Sequence, residues 1–168
     1  QNIIDQIKQD VHKYRIMIFR NQGEITGQRH AEMSKWFGEL ESTFYKHHKS
    51  PHPDVFRVSN DESEGCTGVG RTGWHIDGSF QPAPFAYALY HMAHVPSKGD
   101  TAFAPLRELI EGLPQEQRDR WERLWMVSDA RVGRVHPLIY SHPVTGQKTL
   151  CFHLGMIEAF IWDYESDK

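Results

Sequence analysis

The chain has 168 residues, of which 39% are hydrophobic and 12% aromatic, enough for one domain with a sizeable core. A net charge of −3 and a pI near 6.4 argue against a general nucleic-acid surface, and no run of about 18 apolar residues suggests a membrane span. Cys66 and Cys151 are too few for a disulfide scaffold and no signal peptide is visible, so we expect a cytoplasmic protein.

The first 40 residues predict two helices separated by a short strand. Apolar residues recur at helical spacing in two segments: Ile3, Ile4, Ile7 and Val11, then Met33, Trp36, Phe37 and Leu40. Residues 15–20 form an apolar run with β-branched members, which is typical of a buried strand. Thr26 is a suitable N-cap for the second helix.

The middle of the chain predicts loops and extended segments. Residues 44–54 are rich in His, Lys and Pro and indicate a loop, and residues 61–72 indicate a second, glycine-rich and acidic loop. Between them, residues 55–58 are expected to form a strand. Further on, residues 85–95 predict a long aromatic strand, and residues 101–104 predict a strand that returns beside it.

The last third predicts two helices followed by a hairpin. Leu106, Leu109, Ile110 and Leu113 mark the first helix, and Pro114 suits the first turn of the next, with Trp121, Leu124 and Trp125 on its inner face. Residues 137–140 and 148–152 flank a glycine-containing loop. We therefore expect an α+β, mainly β chain with a double-stranded β-helix core (jelly-roll, cupin-like) and flanking and inserted helices.

The most informative segment is Trp-His-Ile-Asp-Gly-Ser-Phe at residues 74–80. In an extended segment His75 and Asp77 point to the same face, because side chains alternate along a strand. With a later histidine they would complete a 2-His-1-carboxylate triad, which binds Fe(II) and leaves positions open. The tripeptide alone fits a surface histidine beside an acidic turn residue equally well. The preceding glycines and the following aromatic run favour the metal site.

Five segments, in the same order, resemble the taurine dioxygenase-like (TauD/TfdA) family of Fe(II)- and 2-oxoglutarate-dependent oxygenases. They are IFRNQ at 18–22, WFGEL at 36–40, WHID at 74–77, GDTAFA at 99–104, and the HP and HPVTGQK pieces within 136–148. Ile76 stands where threonine is common in the family, and Lys98 replaces a glycine. The resemblance covers residues 15 to 155.

The resemblance implies that His75 and Asp77 are iron ligands and that Thr101 donates a hydrogen bond to a 2-oxoglutarate carboxylate. Without the family, Thr101 would be interpreted as a β-branched strand residue with no ligand. The family's second ligand histidine comes late and is followed by an arginine that holds the distal carboxylate of 2-oxoglutarate. In this sequence the last arginine is Arg134.

The third ligand histidine is therefore expected beyond Lys168, in a single oxygenase domain of which residues 1–168 lack the C-terminal strands. Such a piece alone is expected to be inactive and poorly stable. The histidines within the chain are candidates too, but the resemblance places His136 and His142 in a hairpin where the family's histidines do not bind iron. In a less favoured alternative, His153 is the ligand and Lys148 lies near the keto acid. The chain begins with Gln1 and not with Met, which is compatible with a leader that has been removed.

The expected function of the full-length protein is hydroxylation of a small anionic or zwitterionic molecule. The protein would bind Fe(II), consume 2-oxoglutarate and O₂, and release succinate and CO₂. Candidate substrate residues are Tyr45, Arg71 and Phe80. Two alternatives remain: a cupin-like metal-dependent hydrolase or isomerase, and a non-catalytic jelly-roll binding module. We expect a small-molecule substrate and neither nucleic-acid nor membrane partners; a homo-oligomer is compatible with the sequence.

Overall fold

The computed structural model describes residues 2–41, 45–69, 73–129 and 133–163. The chain divides into two compact units. The first comprises Gln1–Val69 and Tyr87–Gly99, and the second comprises Gly70–Ala86 and Asp100–Lys168. Within the described ranges, no helix is both long enough and apolar enough to cross a membrane.

The first unit contains helix α1 at Asn2–Tyr14 and helix α2 at Gly27–Ser34. Helix α1 confirms the first predicted stripe, whereas α2 confirms a helix after Thr26 but contains only Met33 of the second stripe. Thr26 is the N-cap of α2, since its hydroxyl accepts a hydrogen bond from the Arg29 backbone N–H at 3.2 Å. The helix ends before Trp36 and Phe37, so the predicted helical stripe extends past the helix itself.

Three predicted strands of the first unit are wrong. Residues 15–20 and 85–95 have no regular secondary structure, and residues 55–58 contribute only a single bridge, from Val58 to Cys66. The apolar side chains in these segments are largely exposed, for example Ile18 at 69% and Tyr90 at 67%. A strand needs a neighbouring strand for its backbone groups, and the described part of this unit offers none.

The second unit contains all the other described elements. Helix α3 is Leu106–Glu111, and helix α4 is Gln115–Glu122. The strands are β1 at Leu124–Ser128, β2 at Val135–Pro137, β3 at Ile139–Ser141, β4 at Lys148–Leu150 and β5 at Ile157–Trp162. They form two antiparallel sheets, a three-stranded one in the order β2-β1-β5 and a two-stranded one of β3 and β4.

A small apolar core joins the helices of this unit to the β3–β4 hairpin. Its buried members are Ile110 of α3, Ile139 of β3, Leu150 of β4, and Leu138, which lies between β2 and β3. Leu106, Trp121, Leu124 and Phe152 pack against this cluster. The cluster orients the hairpin, and the chain continues from β4 directly to the residues that pair with the His-x-Asp segment.

The structure confirms the two predicted helices and the hairpin of this unit and corrects three details. Pro114 is the N-cap of α4 and not a first-turn residue. Leu124 and Trp125 belong to β1, because the chain leaves the helix at Arg123, so only Trp121 of the predicted inner face is helical. The strand predicted at residues 101–104 is absent, since these residues are irregular and exposed.

The described elements are therefore mixed α and antiparallel β. This agrees with the α+β part of the predicted class. The closed double-stranded β-helix stays a prediction, since the described strands form only the three-stranded and two-stranded sheets.

Candidate metal centre

His75 and Asp77 are brought together in the second unit. The His75 Nε2 atom lies 3.1 Å from the Asp77 Oδ1 atom, and the two side chains are 23% and 46% exposed. Ligands about 2.1 Å from one octahedral ion stand about 3 Å apart when they are adjacent. The pair is therefore spaced as two neighbouring ligands of one metal ion, one imidazole nitrogen and one carboxylate oxygen, which fits two positions of a 2-His-1-carboxylate iron site.

The tautomer of His75 is set by its own backbone neighbourhood. The Nδ1 atom lies 2.9 Å from the Gly73 carbonyl oxygen. A carbonyl oxygen can only accept, so Nδ1 carries the hydrogen in this bond, and Nε2 is the ring nitrogen that faces Asp77. Metal-binding histidines commonly donate their second ring N–H to such an acceptor, which fixes the ring for ligation.

Backbone pairing with residues 152–154 fixes the strand that bears His75. His75 and His153 form an antiparallel bridge. The Ile76 N–H donates to the Phe152 carbonyl at 2.9 Å, and the Leu154 N–H donates to the Trp74 carbonyl at 3.3 Å. These bonds hold His75 against residues 152–154, which continue directly from β4.

The turn that bears Asp77 is held separately. The Ser79 N–H donates to the Ile76 carbonyl at 3.2 Å, and the Gln81 N–H donates to the Gly78 carbonyl at 2.9 Å. His136, on β2, donates from Nε2 to the Gln81 carbonyl at 2.6 Å. This bond from a different strand ties the end of the turn to the sheet.

Cys151 lies under the same turn. Its side chain is 1% exposed, and its thiol donates to the Ser79 carbonyl, with sulfur and oxygen 3.7 Å apart. Burial raises the pKa of Cys151 to about 11, so at neutral pH it is an uncharged packing group with a weak donor. The thiol therefore packs beneath the turn that bears Asp77.

His153 is the residue that sequence reasoning undervalued. Its ring lies against the ring of His75, with centroids 4.7 Å apart and planes 34° apart, and Phe80 meets it edge-on at 6.0 Å. Burial lowers the pKa of His153 and nearby His75 lowers it further, while its own backbone and Asp77 oppose the shift. No short motif surrounds His153, and only its pairing with His75, distant in sequence, identifies it.

The described residues do not complete a metal site by themselves. Among residues 2–41, 45–69, 73–129 and 133–163, no three His, Cys, Asp or Glu side chains are placed to hold one ion. The alternative with His153 as third ligand thus gains no support from this geometry. Its companion Lys148 has Nζ 3.8 Å from the Glu122 carboxylate.

The other predicted residues have different outcomes. Phe80 lies at the site through its contact with His153. Thr101 is exposed in an irregular segment that precedes α3, and its carboxylate-binding role stays a prediction. Tyr45 belongs to the first unit, where it stacks on Phe56 with centroids 5.3 Å apart. Arg71 lies outside the described residues.

Comparison with known proteins gives a family match over the entire chain. The family model described as "Taurine catabolism dioxygenase TauD, TfdA family" matches residues 1–168. This confirms the resemblance carried by the five sequence segments. Because members of this family need Fe(II), 2-oxoglutarate and O₂, the match also agrees with the donor set of His75 and Asp77.

Curated relatives are similar at low identity. A sulfate ester dioxygenase of Pseudomonas putida, dependent on α-ketoglutarate (2-oxoglutarate), is 23% identical and aligns with 88% of this chain and 56% of its own length. A sulfonate dioxygenase of Saccharomyces cerevisiae is 25% identical, with 80% and 39% covered. A 2,4-dichlorophenoxyacetate dioxygenase of Cupriavidus pinatubonensis is 27% identical, with 65% and 43% covered. The chain spans about half the length of the curated relatives it matches.

Proposed function

The chain belongs to the TauD/TfdA family of taurine catabolism dioxygenases, and on that premise we propose that the full-length protein is an Fe(II)- and 2-oxoglutarate-dependent dioxygenase that hydroxylates a small organic anion. The observation that carries the proposal is the His75–Asp77 pair, with its 3.1 Å separation and the His75 ring held by the Gly73 carbonyl, inside a chain matched along its whole length. The family match favours this function over the hydrolase and binding-module alternatives.

In this proposal His75 and Asp77 bind Fe(II), and the third ligand histidine lies beyond Lys168, as the family resemblance implies. When bound, the iron would accept 2-oxoglutarate and O₂ in its open positions and supply the oxidising power for hydroxylation, with release of succinate and CO₂. Thr101 would donate a hydrogen bond to a 2-oxoglutarate carboxylate. All of residues 1–168 would belong to one oxygenase domain with a jelly-roll core.

The protein's own groups prepare the metal position in three ways. The Gly73 carbonyl accepts the Nδ1–H of His75, which orients the ring with Nε2 towards Asp77. Asp77 supplies the negative charge that offsets part of the metal's charge. Phe80 and the buried ring of His153 border the site on one side and pack against each other.

We infer a small anionic substrate from the relatives' names. The three relatives described above act on sulfate esters, sulfonates and an aryloxyacetate. These molecules share a compact anionic group on an organic body. Arg71, Tyr45 and Phe80 are the candidates in this chain for contact with such a substrate. We further propose that the protein is cytoplasmic and acts on free small molecules.

The test is an anaerobic titration of the full-length protein with Fe(II), with and without 2-oxoglutarate. We expect each ligand to strengthen binding of the other, and a charge-transfer absorption to appear in the visible when both are present. His75→Ala should abolish this coupling, because it removes one of two ligands supplied by this segment. His94→Ala, at an exposed histidine of the first unit, is the matched control and should leave the titration unchanged.

Two results would decide against the proposal. Tight Fe(II) binding without any effect of 2-oxoglutarate would remove the oxygenase function. Coupling that survives in His75→Ala would remove the ligand assignment. If coupling is observed, succinate release with an alkyl sulfate, an alkyl sulfonate and an aryloxyacetate would identify the substrate class.

A further inference from the structure

His136 reaches the turn that bears Asp77 from another strand of the second unit. Its Nε2 atom lies 2.6 Å from the Gln81 carbonyl oxygen, a distance at the short end for an N–H···O hydrogen bond. A carbonyl oxygen only accepts, so Nε2 carries the hydrogen in this bond. A ring nitrogen that carries a hydrogen has no lone pair for a metal ion, so this contact is a support and not a ligand bond.

His136 itself is placed by the three-stranded sheet. It lies on β2 opposite Met126 of β1, and the Met126 side chain is 1% exposed. Two residues after His136, the Leu138 N–H donates to the Leu124 carbonyl at 2.8 Å, which continues the pairing of β2 with β1. Because β1 also pairs with β5, β2 belongs to a sheet and not to an isolated two-stranded ribbon, which would be only marginally stable. The ring of His136 therefore extends from a well-supported backbone position.

The anchored carbonyl is close to Asp77 along the chain. Gln81 follows Asp77 by four residues, and its N–H donates to the Gly78 carbonyl at 2.9 Å, so that both residues belong to one tight turn. The Cys151 thiol also bonds to this turn, at the Ser79 carbonyl, but a thiol is a weak donor and the sulfur lies 3.7 Å from the oxygen. The imidazole is therefore the stronger of these two anchors.

We propose that His136 is a positioning residue for the metal site: by fixing the Gln81 end of the turn, it keeps the Asp77 carboxylate beside His75, where the two atoms stand 3.1 Å apart. This inference rests on the proposed function, since it needs Asp77 as a ligand of Fe(II). Groups that orient metal ligands commonly change metal affinity about 10- to 100-fold when they are removed.

The experiment measures the dissociation constant of Fe(II), anaerobically and without denaturant, in the full-length protein and in three variants of His136. His136→Phe keeps a ring but has no N–H. His136→Gln carries an amide N–H as many bonds from the backbone as Nε2, whereas the amide of His136→Asn is one bond closer and does not reach Gln81. We expect Phe and Asn to weaken Fe(II) binding about 10-fold or more, and Gln to stay within about threefold of the unsubstituted protein.

His142 offers a matched control in the same unit. Its Nδ1 atom accepts from the Thr145 backbone N–H at 3.2 Å, so it too is a histidine that bonds to the backbone of a turn. That turn is the β3–β4 loop, which does not contribute to the proposed metal pair. His142→Phe should therefore leave the Fe(II) dissociation constant unchanged, even where chemical denaturation shows a loss of stability.

Three results would overturn the inference. The first is unchanged Fe(II) binding in His136→Phe. The second is an equal loss in His136→Phe and His136→Gln, which would indicate that the imidazole acts in some way other than as a donor from the Nε2 position. The third is an equal loss in His142→Phe, which would indicate general loosening of the unit. If His136→Phe does not fold, the difference between the Gln and Asn variants decides alone.

Failure of the inference and failure of the proposed function give different results. If Asp77→Ala weakens Fe(II) binding and His136→Phe does not, only the role of His136 is refuted. If the unsubstituted protein binds no Fe(II), or Asp77→Ala binds it equally well, the proposed metal pair is refuted, and the role of His136 with it.

Discussion

Replacing Gly78 by alanine should loosen the turn that bears Asp77 and weaken metal binding. Gly78 has φ +73°, and a Cβ atom added there would lie 2.9 Å from the ring of Phe85. An L-residue at positive φ costs about 1–2 kcal/mol. Overpacking against a ring adds about 1–3 kcal/mol. The free energy of unfolding should therefore fall by about 2–5 kcal/mol, and the Asp77 carboxylate should shift relative to His75.

Gly146 provides a matched control within the same unit. Its φ is +68°, close to that of Gly78, but an added Cβ would meet no atom within 4 Å. In Gly146→Ala the free energy of unfolding should therefore fall only by the cost of backbone strain, about 1–2 kcal/mol. It should also leave Fe(II) binding unchanged, because the β3–β4 loop does not contribute to the proposed metal pair.

The assay is chemical denaturation of the full-length variants, combined with anaerobic Fe(II) titration of each. The reasoning predicts a larger loss of stability in Gly78→Ala than in Gly146→Ala, and a loss of Fe(II) affinity in the first variant only. Equal destabilisation would show that the Phe85 contact does not matter. A Gly78→Ala variant with undiminished Fe(II) affinity would refute the link between the turn and the ligand.

Two further predictions concern buried side chains. Cys151 should resist alkylation at pH 8 in the folded protein, since burial raises its pKa to about 11. Its contribution to stability should be lost as the pH rises from about 9 to about 11, because the thiol then ionises more readily in the unfolded chain. Labelling of Cys151 as fast as that of Cys66, which is less buried, would contradict this. Ile110→Ala should lower the free energy of unfolding by about 2–5 kcal/mol, because the side chain is only 2% exposed. Truncation of its neighbour Leu109 to alanine should lower it much less, because Leu109 is 42% exposed. Equal losses of stability in chemical denaturation would refute the assigned core.

Local patterns predicted the elements that local interactions determine. The N-cap at Thr26 and the helix over Leu106–Glu111 follow from capping and helical periodicity, and both are confirmed. The β3–β4 hairpin follows from the turn residues between its strands. These signals act within a few residues, so the sequence displays them directly.

Predictions that depended on a distant partner failed. Residues 15–20 and 85–95 have strand-like composition, but composition does not supply the neighbouring strand that a ladder needs. The opposite error occurred at β1, where Leu124 and Trp125 continue the helical spacing from Trp121 while the chain in fact pairs with β2 and β5. Short apolar runs fit both periods, and tertiary pairing decides between them.

The residues of the candidate site also fall into those that a local motif indicates and those that only the fold brings together. The two proposed ligands were visible as a local motif, because their spacing of two residues is itself the geometric signal. His153 and His136 were visible only as histidines, since each reaches the site through pairing or a hydrogen bond with a residue distant in sequence. The motif therefore indicated the two proposed ligands, and the fold identified the residues around them.

The two proposed ligands are held by different parts of the second unit. His75 depends on the bridge to His153 and on the Gly73 carbonyl, so changes there alter the ring orientation or its tautomer. Asp77 depends on the turn that ends at Gln81, which His136 ties to β2. Because the supports are separate, damage to the turn should move the carboxylate while the imidazole keeps its orientation. The 3.1 Å distance between the His75 and Asp77 side chains is thus sensitive to a small shift in either support.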